Sequence, residues 1–177
     1  MLNAQVQVVD EYAEPSYHPH PVAVSSYAKA IRIVQLALAW MYREPLQRTP
    51  ATWRRAELHF VKWAQAEAMA ATRNKLLLGQ KLPRSHWLDK HNPVIDADGL
   101  IRVKARLHTA AYLSPDARCP IIVPPKHPLV ELILLDLHAR ELLHNSGHKQ
   151  LMATFQQRFH TVGLADVARQ VCSQCVP

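Results

Sequence analysis

The sequence predicts a mainly α-helical protein with a small antiparallel β element, and three observations support this fold class. Apolar residues recur at helical spacing over most of the 177-residue chain. Between residues 93 and 125 this spacing gives way to short apolar runs bounded by turn residues. Hydrophobic residues make up 49% of the chain, which is enough to bury a core. We therefore expect a two-helix connector, a short β-hairpin or sheet, and a three-helix bundle.

Prolines and changes of periodicity divide the chain into four segments. Residues 1–24 contain three prolines among scattered polar residues, which is typical of an irregular leader. We expect a helical connector over residues 25–90, a small β subdomain over residues 91–126, and a helical bundle over residues 127–177.

The connector is predicted to contain two helices. The first follows Ser25-Ser26, a plausible N-cap, and runs to about Arg43 before a proline stops it. The second begins at Thr49-Pro50, where a capping residue precedes a proline at the first helical position, and it can continue to Gly79.

The β subdomain is predicted to contain three short antiparallel strands. The run NPVIDADGLIRV places apolar pairs on both sides of a turn, with Gly99 supplying the unusual backbone geometry of a hairpin. The run CPIIVPP, which starts at Cys119, offers a third strand that prolines end.

The last segment is predicted to contain three helices. The apolar run HPLVELILLDLHARELL extends from His127 to Leu143, and the Asn145-Ser146-Gly147 that follows predicts a left-handed cap. The runs KQLMATFQQRF and LADVARQVCSQC supply two shorter helices. Because a unit of about 50 residues has a small core, such units often need a metal ion for stability.

Charge and cysteine content limit the classes of partner. The 21 Lys and Arg outnumber the 14 Asp and Glu, so the net charge of +7 favours an anionic partner, with nucleic acid ahead of a membrane surface. Three cysteines with no signal peptide argue against a secreted disulfide scaffold and leave the thiols for metal binding. The most apolar run, residues 31–42, is too short to cross a bilayer.

A possible zinc site lies near the C-terminus. Zinc takes four imidazole or thiolate ligands, and the Cys172-x-x-Cys175 pair, if placed at a helix start, would let both sulfurs reach one ion. We prefer His138 with His144 over His144 with His148, provided that the helix ends between the first two. Spacing alone leaves two interpretations open. The alternative to a zinc site is unconnected surface or core histidines, with Cys172 as a small buried apolar residue.

An ordered series of motifs resembles a known family. The runs NPVIDADGLIRVKARL, PIIVPPKHPLVELILLDLHARELLH, LMATFQQRF and VARQVCSQC are similar to the integrase region of BEL/Pao-type LTR retrotransposon polyproteins. The upstream run SSYAKAIRIVQLALAWMYR and the long helix after it resemble the connector that precedes integrase there. The resemblance implies an HHCC zinc-binding domain with structural Zn²⁺, in which His138, His144, Cys172 and Cys175 are the ligands within this chain.

The family register raises a question about the cysteines. Aligned on the helix that begins at Val167, Cys172 falls on an apolar helix position and Cys175 becomes the first zinc cysteine, with its partner expected at position 178. We therefore expect an HHCC domain that is truncated at its C-terminal end, with Cys172 able to substitute as fourth ligand. His160 occupies the place of a common family tryptophan, so we expect that a packing aromatic is lost there and that His160 is not a ligand.

The resemblance implies a role in DNA integration without catalysis by this chain, because the acidic catalytic core of the family follows the HHCC domain. The implied partners are the DNA ends of the element and other integrase subunits, with no membrane and no small-molecule substrate. We expect an intracellular location, nuclear or in retroelement particles. The candidate phosphate contacts are Arg140, Lys149, Arg158 and Arg169. The alternative function is a decayed or host-coopted helical protein-interaction scaffold that binds neither zinc nor DNA.

Overall fold

The computed structural model describes residues 24–104 and 112–175, and it confirms a mainly helical fold with a small sheet. The helices are α1 (Tyr27–Tyr42), α2 (Pro50–Leu77), α3 (Pro115–Arg118), α4 (Pro128–Arg140), α5 (His148–Gln156) and α6 (Leu164–Gln174). The strands are β1 (Pro93–Ile95), β2 (Ile101–Val103), β3 (Ile121–Ile122) and β4 (Phe159–His160). The predicted leader lies outside the described residues except for its last position.

Both connector helices begin where the capping residues predict. The Ser26 side chain accepts a hydrogen bond from the Lys29 amide at the start of α1. At the start of α2, Thr49 and Thr52 form a reciprocal capping box, and Pro50 occupies the first turn. Helix α1 packs on α2, and their apolar faces are fully buried at Ile31 and Phe60.

The sheet is mixed, which corrects the prediction of a purely antiparallel element. Strands β1 and β2 form the predicted hairpin, and β3 pairs antiparallel with β2 through Arg102 and Ile121. Strand β4 then pairs parallel with β3, aligning Ile121 with Phe159 and Ile122 with His160. Sequence patterns missed β4 because it is only two residues long. Its parallel pairing is possible because α4 and α5 form the long crossover connection that such pairing requires.

A buried glutamine joins α2 to the sheet. The amide nitrogen of Gln65 donates to the carbonyl oxygens of Ile101 at 2.9 Å and Ile122 at 2.6 Å. Its amide oxygen accepts from the Ile101 N–H at 2.8 Å. Because the side chain has no solvent exposure, these three bonds replace the hydrogen bonds that water would otherwise supply.

A second buried polar group, the Glu57 carboxylate, joins the connector to the C-terminal bundle. It is 1% exposed and accepts hydrogen bonds from the Tyr27 hydroxyl at 2.9 Å and from the Arg54 guanidinium at 2.6 Å. Arg158, which follows α5, donates to the same carboxylate. Arg54 also pairs with Asp116. Ion pairs thus connect α2, α3 and the end of α5.

All three predicted C-terminal helices are present, but α5 ends at Gln156, so that Phe159 lies in β4, and α4 ends at Arg140, before the predicted Leu143. The backbone turns into the left-handed region at Leu143, with φ 45°, and at His144, with φ 59°. Gly147 was predicted to be part of this cap, but its φ is −73° and it is the N-cap of α5. Helix α4 therefore ends several residues before the glycine.

One hydrophobic core extends across the predicted segment boundaries. It contains Val34 of α1, Phe60 of α2, Ile121 of β3, Leu134 of α4 and Phe155 of α5. A smaller cluster lies between α2 and the hairpin and includes residues of β2 and β3. The boundaries at residues 90 and 126 stay predictions, although the connector and the bundle share the main core.

Candidate metal centre

The left-handed turn after α4 brings two histidines together. The His144 amide donates to the His138 carbonyl oxygen at 3.0 Å, so the chain folds back on the helix end. The two imidazole rings consequently meet edge to face, with centroids 5.0 Å apart. Histidines six positions apart do not share a face of an ideal helix, and their convergence depends on this turn.

Helix α6 supplies a thiol to the same place. The Cys175 Sγ lies 3.0 Å from the His144 Nδ1. His138, His144 and Cys175 each offer one donor atom, and these atoms all lie within 4.8 Å of one another. Among the described residues these three side chains form a cluster that could hold a metal ion.

The His138 imidazole lacks hydrogen-bond partners although it is buried. The residue is 3% exposed, and within the described residues neither of its ring nitrogens has a hydrogen-bond partner. A neutral imidazole carries one N–H donor and one acceptor nitrogen, and leaving both unsatisfied in the interior costs free energy. A metal ion bound to one nitrogen would remove part of this cost.

The placement of Cys172 differs from the predicted arrangement. The Cys-x-x-Cys lies at the C-terminal end of α6, as the predicted helix LADVARQVCSQC implies, with Cys175 as the C-cap. Cys172 is outside the three-residue cluster, and its Sγ contacts the Ser146 carbonyl oxygen at 3.9 Å. Burial, followed by the charge of Cys175, raises the pKa of the Cys172 thiol. The cysteines therefore complete α6 instead of beginning a helix.

The donor set suits zinc. Two imidazole nitrogens and one thiolate are ligands that Zn²⁺ accepts, and a tetrahedral ion would hold a nitrogen and a sulfur roughly 3.6 Å apart. The observed donor separations, up to 4.8 Å, require only small side-chain movements to reach such values. The C-terminal ends of α4 and α6 also meet here. Because helix C-termini carry partial negative charge, they favour a bound cation.

A groove of about 450 Å³ opens beside the cluster. All three potential ligands line it, together with Leu135 of α4 and Val171 of α6. Ser25, Ser26 and Tyr27 form its wall on the side of the connector. The cluster is therefore accessible from the surface despite the burial of His138.

The four predicted phosphate contacts have different surroundings. Arg140 and Arg169 are exposed and form ion pairs within their own helices, with Asp136 at 3.0 Å and Asp166 at 2.8 Å. Lys149 is exposed at the start of α5. Arg158 is 37% exposed and is bound to the buried Glu57, a contact that sequence patterns did not indicate.

The other two histidines considered above lie outside the cluster. His148 is the first residue of α5, so its pairing with His144 across Gly147 is not observed. His160 packs against His91, with ring centroids 4.5 Å apart. The sequence analysis missed this pair because 69 residues separate the two positions and no local motif connects them.

Comparisons with protein-family models, with curated proteins and with solved structures found no match for this chain. Within residues 24–104 and 112–175, none of the helices combines the length and apolar character needed to span a membrane.

Proposed function

We propose that this chain contains a structural zinc site formed by His138, His144 and Cys175, within a module similar to the zinc-binding domain of BEL/Pao-type integrases. The convergence of these three side chains from two helix ends carries the proposal. The order of motifs in the sequence supports the family assignment, and the donor types support zinc over magnesium or calcium, which prefer oxygen ligands.

The backbone at the site supports a metal-binding role. Leu143 and His144 are consecutive non-glycine residues in the left-handed region, each at a conformational cost of about 1 to 2 kcal/mol. This turn directs His144 towards His138, and the unpartnered nitrogens of His138 add a second cost. A bound zinc ion supplies a cross-link between these side chains that offsets both costs.

The fourth ligand has two proposed sources. Cys172 is one turn of α6 before Cys175, but its Sγ contacts the Ser146 carbonyl instead of the cluster. A residue following Pro177 in a longer polypeptide is the second source, as the family register suggests. Replacing Cys172 with serine distinguishes them. Unchanged zinc affinity excludes Cys172, and a decrease of more than about tenfold assigns it as a ligand.

We further propose that the module contacts DNA phosphates through Arg140, Lys149 and Arg169, whose side chains are exposed at the ends and surface of the bundle. Arg158 is the weakest of the four predicted contacts because its guanidinium neutralises Glu57. The partners proposed from the family resemblance are the ends of the element DNA and other integrase subunits.

A structural role fits the surroundings of the acidic residues. Asp96 and Asp116 both bind Arg102, and Glu57 binds two other arginines. Carboxylates neutralised in this way are poor ligands for the divalent ions that support strand transfer. We therefore propose that this chain has no catalytic activity of its own.

Zinc content and helicity test the metal site. We expect one tightly bound zinc per chain that requires His138, and a decrease in helical circular dichroism on chelation. Zinc binding by structural sites contributes about 10 to 16 kcal/mol in zinc-finger peptides, so His138→Ala should unfold much of the bundle. His148→Ala is the matched control, since it changes a nearby histidine outside the cluster. Equal zinc content and helicity in both variants would exclude the site.

Salt-dependent DNA binding tests the second part of the proposal. The combined replacement of Arg140, Lys149 and Arg169 by alanine should weaken binding and reduce the salt slope by about 0.9 for each phosphate that these side chains neutralise. Lys75→Ala, at the C-terminal end of α2, is the control for a general decrease in positive charge. If the wild-type protein fails to bind DNA even at low salt, the DNA-binding role is wrong and the scaffold alternative is favoured.

A further inference from the structure

A second histidine cluster, separate from the proposed zinc centre, consists of His91 and His160. His91 ends a short 3₁₀ helix just before β1, and His160 is the last residue of β4. In the strand order β1-β2-β3-β4, these positions belong to opposite edges of the sheet. The rings nevertheless contact each other, with centroids 4.5 Å apart and planes tilted by 54°.

The two imidazoles share one unusual property. The Nε2 atom of each ring is buried, and within the described residues neither atom has a hydrogen-bond partner. Buried ring nitrogens are normally paired, so two adjacent unpaired ones require an explanation. The two residues as a whole are only partly buried. The Nε2 atoms themselves are buried, whereas other atoms of both residues reach the surface.

The backbone holds both histidines in position. The His160 carbonyl oxygen accepts from the Val123 amide at 2.9 Å, within the parallel pairing of β3 and β4. The His91 amide donates to the Leu88 carbonyl oxygen at 2.9 Å. The next residue, Asn92, adopts a left-handed conformation with φ 47°, and its carbonyl oxygen accepts from the Lys104 amide. These hydrogen bonds fix the backbone at both positions.

The electrostatic environment favours neutral rings. Burial lowers the pKa of His160, and the charge of His91 lowers it further. Burial and the charge of Lys90 lower the pKa of His91. Neutral imidazole is the form that binds transition metals, because the Nε2 lone pair is then free to coordinate.

We propose that His91 and His160 form a second binding site for a divalent transition-metal ion of the zinc type, coordinated through the two Nε2 atoms. Imidazole nitrogens at about 2.1 Å from one tetrahedral ion lie roughly 3.4 Å apart. The ring centroids are 4.5 Å apart, so the two imidazoles are near enough to bind one ion. The described residues provide no third histidine, cysteine or carboxylate at this pair, so water completes the coordination. The ion joins the segment before β1 to β4.

Zinc stoichiometry and affinity of the full chain test the site. We expect the wild-type protein to bind two zinc ions in isothermal titration calorimetry and equilibrium dialysis. Either His91→Gln or His160→Gln should weaken one of them by at least about tenfold, because one of two protein ligands is removed. His148→Gln is the control for weak binding by surface histidines. Wild-type affinity for both ions in the His91→Gln and His160→Gln variants would overturn the inference.

Two further measurements make the result specific. Cys175→Ser should weaken only the other ion, and wild-type binding of both ions in that variant would instead refute the proposed zinc centre. Nitrogen NMR of the wild-type protein avoids any folding defect of the variants. The Nε2 resonances of His91 and His160 should shift as the second zinc equivalent is added, whereas unchanged resonances would overturn the inference.

Discussion

The ion pair between Glu57 and Arg158 predicts that Arg158 stabilises the fold and does not contact DNA. Glu57 is 1% exposed and lies on α2, whereas Arg158 follows α5 and is 37% exposed. Replacement of Glu57 by glutamine retains the shape and still offers an oxygen to the Tyr27 hydroxyl. It removes the charge that holds Arg54 and Arg158. The substitution therefore isolates the electrostatic part of the interaction.

The expected magnitude follows from the burial of the two partners. Opposite charges about 4 Å apart attract by about 4 kcal/mol at the effective dielectric of a protein surface. The desolvation of Glu57 opposes this attraction, and solvent screens the partly exposed Arg158. We therefore expect Glu57→Gln to destabilise the protein by about 2 to 3 kcal/mol. The coupling energy between Glu57 and Arg158 should be about 1 to 2 kcal/mol.

Urea denaturation of a double-mutant cycle measures this coupling. The cycle combines Glu57→Gln with Arg158→Gln, and the exposed pair of Asp166 and Arg169 on α6 serves as the control, for which we expect no measurable coupling. Effects of Glu57→Gln and Arg158→Gln that add within about 0.5 kcal/mol would refute the reasoning. If Arg158→Gln leaves the free energy of unfolding unchanged but weakens DNA binding, Arg158 acts as a phosphate contact.

Three other predictions concern buried groups. Gln65→Leu should lower the free energy of unfolding, measured by urea denaturation, by about 2 to 4 kcal/mol, because it removes the hydrogen bonds of Gln65 to the Ile101 and Ile122 backbone groups. Gln157→Leu, which changes an exposed glutamine, is the control and should have little effect. The pKa of Cys172 is raised, so iodoacetamide should modify Cys172 of the metal-free protein more slowly than a free thiol at pH 8. The modification of Cys172 should become faster in the Cys175→Ser variant, because the charge of Cys175 contributes to the raised pKa. Equal modification rates of Cys172 in the two proteins, measured by mass spectrometry, would contradict this prediction. Burial, and then the charge of Glu57, raises the pKa of Tyr27 above its ordinary value of 10.0. The unfolded state therefore loses this proton first, and the free energy of unfolding should fall as pH rises above about 10. If the free energy of unfolding of Tyr27→Phe falls with pH as steeply as that of the wild type, Tyr27 is excluded as the cause.

The helices could be predicted from the sequence because their signals are local. Ser26, Thr49 and Pro50 set the starts of α1 and α2 through side chains within three residues of the helix end. The hairpin could also be predicted, because Gly99 lies between two short apolar runs. In the structure Gly99 adopts a positive φ of 76°, as the turn requires. Strand β4 was not predicted, because two residues carry too little periodicity and its pairing depends on β3, nearly forty residues earlier.

The candidate metal centre was predicted in part. The residue types and spacing indicated His138, His144 and Cys175, but they also indicated Cys172, which lies outside the cluster. The position of Cys172 depends on how α6 packs, and its Sγ is directed to Ser146 by that packing. Arg158 shows the same limit, because its binding to Glu57 spans 101 residues and has no local sequence signal.

The sequence by itself determined where the main helices begin, where the hairpin turns, and which imidazole and thiol side chains the chain offers as potential metal ligands. Those properties follow from capping, periodicity and side-chain chemistry, all of which act over a few residues. Only the tertiary structure decided which donors meet. The left-handed turn at Leu143 and His144 directs one ring onto another, α6 adds the Cys175 thiol, and the sheet brings His91 to His160. The approach of Cys175 to the histidines and the contact between His91 and His160 join residues distant in the chain, so their geometry is set by tertiary packing.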